Sequence, residues 1–366
     1  MAWFYDSVKN TLQSAQNEAR QIIDQNGKEK VTAKTTKAFA AKIPDAVRFV
    51  RQEPEIIFFA LLQWLVIGLS YRLWVQFLDW IPQSVWDAIK EAEDAHQKTD
   101  GMFTMLSLLL TAWSFLVVCV ASYPLALFSA ATVSSVNLRK TGNESTVRGC
   151  LLNALHNIDR MWAFTTVDAW ITVDRIFERL PKKNDRESGA SKALKEALYY
   201  AWKLGTIGIL PALVNGRGLI DAGKDSIVIL KTRFKDAAVL RFGYSGFCWV
   251  VGILAYIGSI FYYGMMREHS DMPGIYNFYK MMGVPIFVAV GVVSCLIRPV
   301  YMVLLAELYS ETVPLKPVDI GSSPSGNVSL ILFVTLTAVL LACFFLGDQL
   351  GIRAYVEAVA AKGASY

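Results

Sequence analysis

The sequence predicts an all-α polytopic membrane protein. We expect five full transmembrane helices, a short two-helix hairpin that dips into the membrane, and amphipathic cytoplasmic helices at the N-terminus. Three observations predict this. The composition is 54% hydrophobic and 18% charged, with a mean hydropathy of +0.36 over 366 residues, whereas a soluble domain carries about 25% charged residues. The apolar residues gather in seven blocks. The basic residues of the loops between them are unevenly distributed. Together these exclude a soluble enzyme, a disulfide scaffold and a disordered chain.

The blocks are 56–78, 102–136, 161–173, 198–214, 242–266, 281–308 and 330–346. A hydrocarbon core of about 30 Å needs about 20 helical residues. Blocks one, two, five and six reach that length. Block seven has 17 residues and no charge, which just suffices. Block four carries Lys203 and Pro211, and block three has 13 residues and contains Asp168. Block three is too short to span and interleaves bulky apolar residues with Thr165, Thr166, Asp168 and Thr172, an amphipathic pattern.

Residues 1–55 form a cytoplasmic segment, 56–346 the transmembrane domain, and 347–366 a short tail. The N-terminus lacks a basic start, an apolar run and a small-residue cleavage site, so no signal peptide is expected. Phe4, Val8, Leu12, Ala15, Ala19, Ile22 and Ile23 recur at helical steps and predict an amphipathic helix. Pro44 and Pro54 punctuate the approach to the first span.

Loop charges orient the chain. Loop 79–101 has two basic and six acidic residues and should face outward, which leaves the N-terminus cytoplasmic. Loops 137–160 and 215–241 carry four against two and six against three, and fit inside. Loop 174–197 has seven basic and five acidic residues. If blocks three and four both span, this basic loop sits outside. If they form a hairpin, it stays inside. The hairpin gives the cleaner asymmetry; seven spans is the alternative.

Five charged residues lie within the blocks: Arg72, Asp168, Lys203, Arg298 and Glu307. An intramembrane charge marks a candidate site unless it reaches the interface. Arg72 and Glu307 lie near block ends and are expected to reach it. Arg298, next to Pro299, either does the same or faces the bundle. Asp168 and Lys203 sit on the two hairpin arms and are placed to pair. In 219–235 an apolar side opposes Lys224, Lys231, Arg233 and Lys235, which are candidate contacts for anionic lipid head groups. An ordinary interfacial connector explains the same pattern. Gly216 and Gly218 should allow a tight reversal before it.

Three stretches carry a family resemblance. They are V-N-L-R-K-T-G-N-E-S-T-V-R-G at 136–149, I-L-P-A-L-V-N-G-R-G-L-I-D-A-G-K-D-S at 209–226, and L-L-A-E-L-Y-S-E-T-V-P at 304–314. The chain resembles an uncharacterised family of bacterial multi-pass inner-membrane proteins over roughly 55–315. The resemblance implies a fold and a bacterial inner-membrane location, but no reaction.

Chemistry-bearing motifs are scarce. The five cysteines form no C-x-x-C pair, and the three histidines lie in separate polar stretches. No metal, haem or other cofactor is expected. There is no G-x-S-x-G, Walker loop or paired-aspartate motif, so an enzyme is not expected. Pro124, Pro285 and Pro299 suit bent helices, whether as a gate or as irregular packing. Gly252, Gly258, Gly264 and Gly291 permit close helix approach. The expected function is a non-catalytic scaffold, assembly factor or accessory subunit. The alternative is a transporter or channel for a lipid or small solute. The expected partners are the bilayer, anionic lipids included, and other membrane proteins or a second copy of the chain. The net charge of +5 is accounted for by the loops, so nucleic acid is not a partner.

Overall fold

The computed structural model describes residues 41–80, 100–179, 199, 201–266, 284–315, 327–352, 354, 355 and 358. The expected N-terminal amphipathic helix and most of loop 174–197 lie outside these residues. The described residues are helical, without strands. In chain order the helices are α1 (Ile43–Gln52), α2 (Pro54–Trp80), α3 (Asp100–Lys140), α4 (Val147–His156), α5 (Ile158–Arg179), α6 (Ile209–Val214), α7 (Leu219–Met266), α8 (Val284–Thr312) and α9 (Asn327–Leu346).

Among the described residues, five helices are long and apolar enough to cross a membrane: α2, α3, α7, α8 and α9. The apolar stretch Ala201–Val214 is shorter than a span. At 1.5 Å per residue it covers roughly 21 Å, less than the ~30 Å core. It is also broken at 206–208, where Ser226 of α7 enters the turn. Ser226 Oγ accepts from Gly208 N at 3.0 Å and donates to the Gly205 carbonyl at 2.8 Å. A Cβ on Gly208 would lie 3.0 Å from the Ser226 Cα, so this approach requires glycine.

Pro211 is the third residue of α6, in the first turn, where its missing N–H has no intrahelical acceptor to lose. Of the two glycines expected to reverse the chain, only Gly216 has a positive φ, at 74°. The connector and the fifth span are one helix: α7 runs 48 residues, with non-helical torsions only at Arg233 (φ −133°, ψ 35°). No proline interrupts 219–266, so nothing removes a backbone donor and stops it.

The chain forms two compact units. The first comprises Met1–Gln63, Leu125–Val250 and Val292–Asn327. In it α8 packs on α1 and on α6, and α6 on α5. Its core holds Ile56, Phe59, Leu138, Ile158, Met161, Leu213, Ile229 and Leu230. Within α8 a π-helical turn, Val293–Ile297, lets Arg298 N bond the Val293 carbonyl. Pro299 follows at once and cannot donate, and the wider turn accommodates it.

The second unit comprises Trp64–Pro124, Val251–Gly291 and Val328–Tyr366. Phe77, Trp80, Trp113, Val117 and Leu340 form its core. The buried indoles find acceptors, as they must: Trp113 donates to the Leu73 carbonyl at 3.1 Å and Trp74 to Ser114 Oγ at 3.0 Å. Trp64 stacks on Phe287 at 4.5 Å and donates to the Phe287 carbonyl at 2.9 Å. Gly291 makes room, since a Cβ there would lie 3.0 Å from the indole. Gly252 and Gly264 have no neighbour within 4 Å of a Cβ, and Gly258 has only Pro285 at 4.0 Å. Among the described residues, Gly291 is the one of these four glycines that makes room for a close internal contact.

Candidate functional site

The two arms flanking loop 174–197 meet through Asp168 and Lys203. Lys203 Nζ donates to Asp168 Oδ1 at 2.5 Å and to Thr172 Oγ1 at 2.9 Å. Trp202 Nε1 donates to the same carboxylate oxygen at 3.1 Å. Thr172 in turn donates to the Asp168 carbonyl at 2.7 Å, which leaves its lone pairs for the ammonium. Lys203 is buried and Asp168 is about a third exposed. A buried ammonium needs this carboxylate and these hydrogen bonds to offset its lost hydration. The Tyr199 ring, one helical turn earlier, lies 5.7 Å from the ammonium.

Two more cations belong to this group. Arg241 of α7 donates to Tyr301 Oη at 3.3 Å and lies 6.0 Å from the Tyr244 ring. Tyr244 and Tyr301 pack at 4.3 Å. Arg298, one turn before Tyr301 on α8, donates through Nη2 to Ser129 of α3 at 2.9 Å. Both guanidinium groups are close enough to act on the charge of Lys203, and Asp168 acts on Arg241. Arg298 therefore faces the protein, the second of the two outcomes expected for it. Arg241 was counted with the loop before the fifth block and not singled out. A signal was available: Arg241, Tyr244 and Cys248 are spaced three and four apart, which puts them on one helical face.

A second set of charges ties helix ends together. Glu53 is buried and accepts from Arg139 Nε at 2.6 Å. Glu311 pairs with Lys42 at 3.0 Å and with Arg233 at 3.8 Å. Lys140 donates to Ser310 Oγ at 2.5 Å and is close enough to Glu307 to attract it electrostatically. Glu307 thus ends among cations of the protein itself. Arg72 is exposed on α2. Among the candidate lipid contacts, Lys224 pairs with Asp221 at 3.1 Å and Arg233 with Asp236 at 3.4 Å. Lys231 and Lys235 are also engaged. Two of the four cations on this face are therefore paired with acids of the protein itself.

The turn before α7 is fixed by Tyr309, which donates to Asp225 Oδ2 at 2.9 Å, while Arg217 pairs with the same oxygen at 3.2 Å. The hydrogen bond with Tyr309 and the charge of Asp225 push the Arg217 guanidinium further up in pKa. Between α3 and α4, Ser135 and Ser145 share a hydrogen bond of 2.8 Å, and Cys150 lies 3.6 Å from Ser145 Oγ. Burial pushes the Cys150 thiol above its ordinary range, partly offset by the Ser145 hydrogen bond.

No family model, curated protein or solved structure matches the chain. What the site can do rests on its own chemistry. Among the described residues no three His, Cys, Asp or Glu side chains are grouped to hold a metal ion. Asp168, the one acid of the cationic group, is committed to Lys203 and Trp202, an arrangement that holds charge in place and does not poise a free base.

Proposed function

We propose that the chain is a bacterial inner-membrane protein with a cytoplasmic N-terminus. It acts without catalysis, as a scaffold, assembly factor or accessory subunit. The family reading and the orientation belong to this proposal. They draw on the three sequence stretches and on the loop charges.

One observation carries it. In the most apolar window of α3 half the residues are buried, but the share is 6% in α7 and 11% in α9. Phe261, Met265, Ile331 and Phe345 are among the most exposed large apolar side chains. Each of these two spans packs along one face and leaves most of its other apolar side chains exposed. Such faces serve lateral association when the partner helix packs better than lipid. A photo-crosslinking residue at Phe261 or Phe345 in native membranes should give one discrete protein adduct. Lipid adducts alone at both positions would refute the proposal.

A second reading, transport of a lipid or small solute, draws on the buried cationic group, since ionisable residues in spans often mark a pathway. Uptake or flip assays in reconstituted vesicles separate it from the first.

A further inference from the structure

Arg241 bonds Tyr301 Oη, one helical turn along α8 from Arg298, and the Lys203–Asp168 pair lies near enough for both guanidinium charges to act on Lys203. Asp168 is already bonded to Lys203 and Trp202. The two arginines are held by neutral oxygens, Tyr301 Oη and Ser129 Oγ. Arg298 Nε is buried with no hydrogen-bond partner among the described residues. Both guanidinium groups are partly buried; with neutral partners they keep their charge and recover only part of the hydration they lose. An anion placed among them would supply both the missing charge and the missing acceptors.

We propose that this group binds one phosphate-type anion, from a phospholipid head group or from a soluble phosphate. Guanidinium forks match phosphate oxygens in pairs, and Lys203 adds a point charge. The depth suits a head group. From Arg241 to Met265, α7 advances roughly 36 Å, enough to cross the ~30 Å core, so Arg241 stands at the level of one interface. Arg298 lies deeper, roughly 21 Å along α8 from Val284, within reach of that interface for a long side chain. Tyr244, Tyr301 and Trp202 are amphipathic and suit the same zone. Lys224 and Arg233 of 219–235 pair with acids, whereas the hydrogen-bond partners of Arg241 and Arg298 are neutral. This inference does not depend on the scaffold reading.

The test uses the full chain, purified and stripped of lipid. Melting is followed with phosphatidylcholine, with phosphatidylglycerol and with inorganic phosphate, and bound lipid is weighed by native mass spectrometry. The wild type should be stabilised by phosphatidylglycerol or by phosphate, and not by phosphatidylcholine. The first outcome identifies a lipid source and the second a soluble one. Arg241→Gln and Arg298→Gln should each weaken the effect about tenfold, the loss of one charged contact, while Arg48→Gln, at an exposed position of α1, leaves it unchanged. Asp168→Asn removes the competing carboxylate and should tighten anion binding, a gain that misfolding cannot imitate. No stabilisation by either anion, equal binding by both glutamine variants and wild type, or weaker binding by Asp168→Asn would overturn the proposal.

Discussion

Lys203 and Asp168 are 35 residues apart in sequence and 2.5 Å apart in space, and their bond joins the arms on either side of loop 174–197. The ammonium is 6% exposed and the carboxylate 32%. The cost of breaking the pair is therefore unequal. Asp168→Asn strands a buried cation. A fully buried pair would lose about 3–5 kcal/mol, and the partial exposure of Asp168 brings the expectation to about 2 kcal/mol. Lys203→Met removes the charge and keeps the volume, so it should cost less. The double variant should recover most of the loss. Melting of all three in one detergent, without added anion, checks this ordering.

Close packing at Gly291 makes a second prediction. Gly291→Leu drives a side chain into the Trp64 indole and should lower stability by about 1–3 kcal/mol. Gly252→Leu, in open surroundings, should be tolerated. Comparable losses in both variants would mean that the glycines serve something other than the Trp64 contact.

Cys150 should resist alkylation in the folded protein and react once the chain is denatured. It is fully buried, and its raised pKa leaves less thiolate at any given pH. The sign for stability follows. The folded state holds this proton more tightly, so the contribution is complete below the ordinary thiol pKa. It is lost as pH rises through the raised value. Cys150→Ala should flatten that alkaline loss, read from melting temperatures across the alkaline range.

Topology is testable at a single position. With a cysteine introduced as Glu187→Cys, a membrane-impermeant thiol reagent should label only after intact cells are opened. Labelling from outside would favour seven spans and place loop 174–197 opposite to the 215–241 segment.

The spans were legible because lipid leaves a helix no option but an apolar surface. The Asp168–Lys203 pair was legible because two lone charges on facing arms have few other partners. Arg241 was not, since counting it with a loop hid its place on the face of Tyr244 and Cys248. The π turn before Arg298 was also hidden. Pro299 announces a disturbance of the hydrogen-bond ladder, but the packing around it decides which form the disturbance takes. The length of α7 is not visible in hydropathy, which separates 219–235 from 242–266 by polarity although no residue between them stops a helix.

The C-terminal half of α3 carries Ser129, Thr132, Ser134, Ser135 and Asn137, all buried. Thr132 bonds the carbonyl one turn back, Ser134 accepts from Asn153, and Ser129 from Arg298. This helix leaves the ribosome long before α8 and the residues that will cover it. Thr132 has its bond within α3 and Ser134 gains one as soon as α4 is made, so Ser129 alone of the three waits for α8. The row is thus satisfied in chain order, its last hydroxyl taken up by one of the last helices to be made.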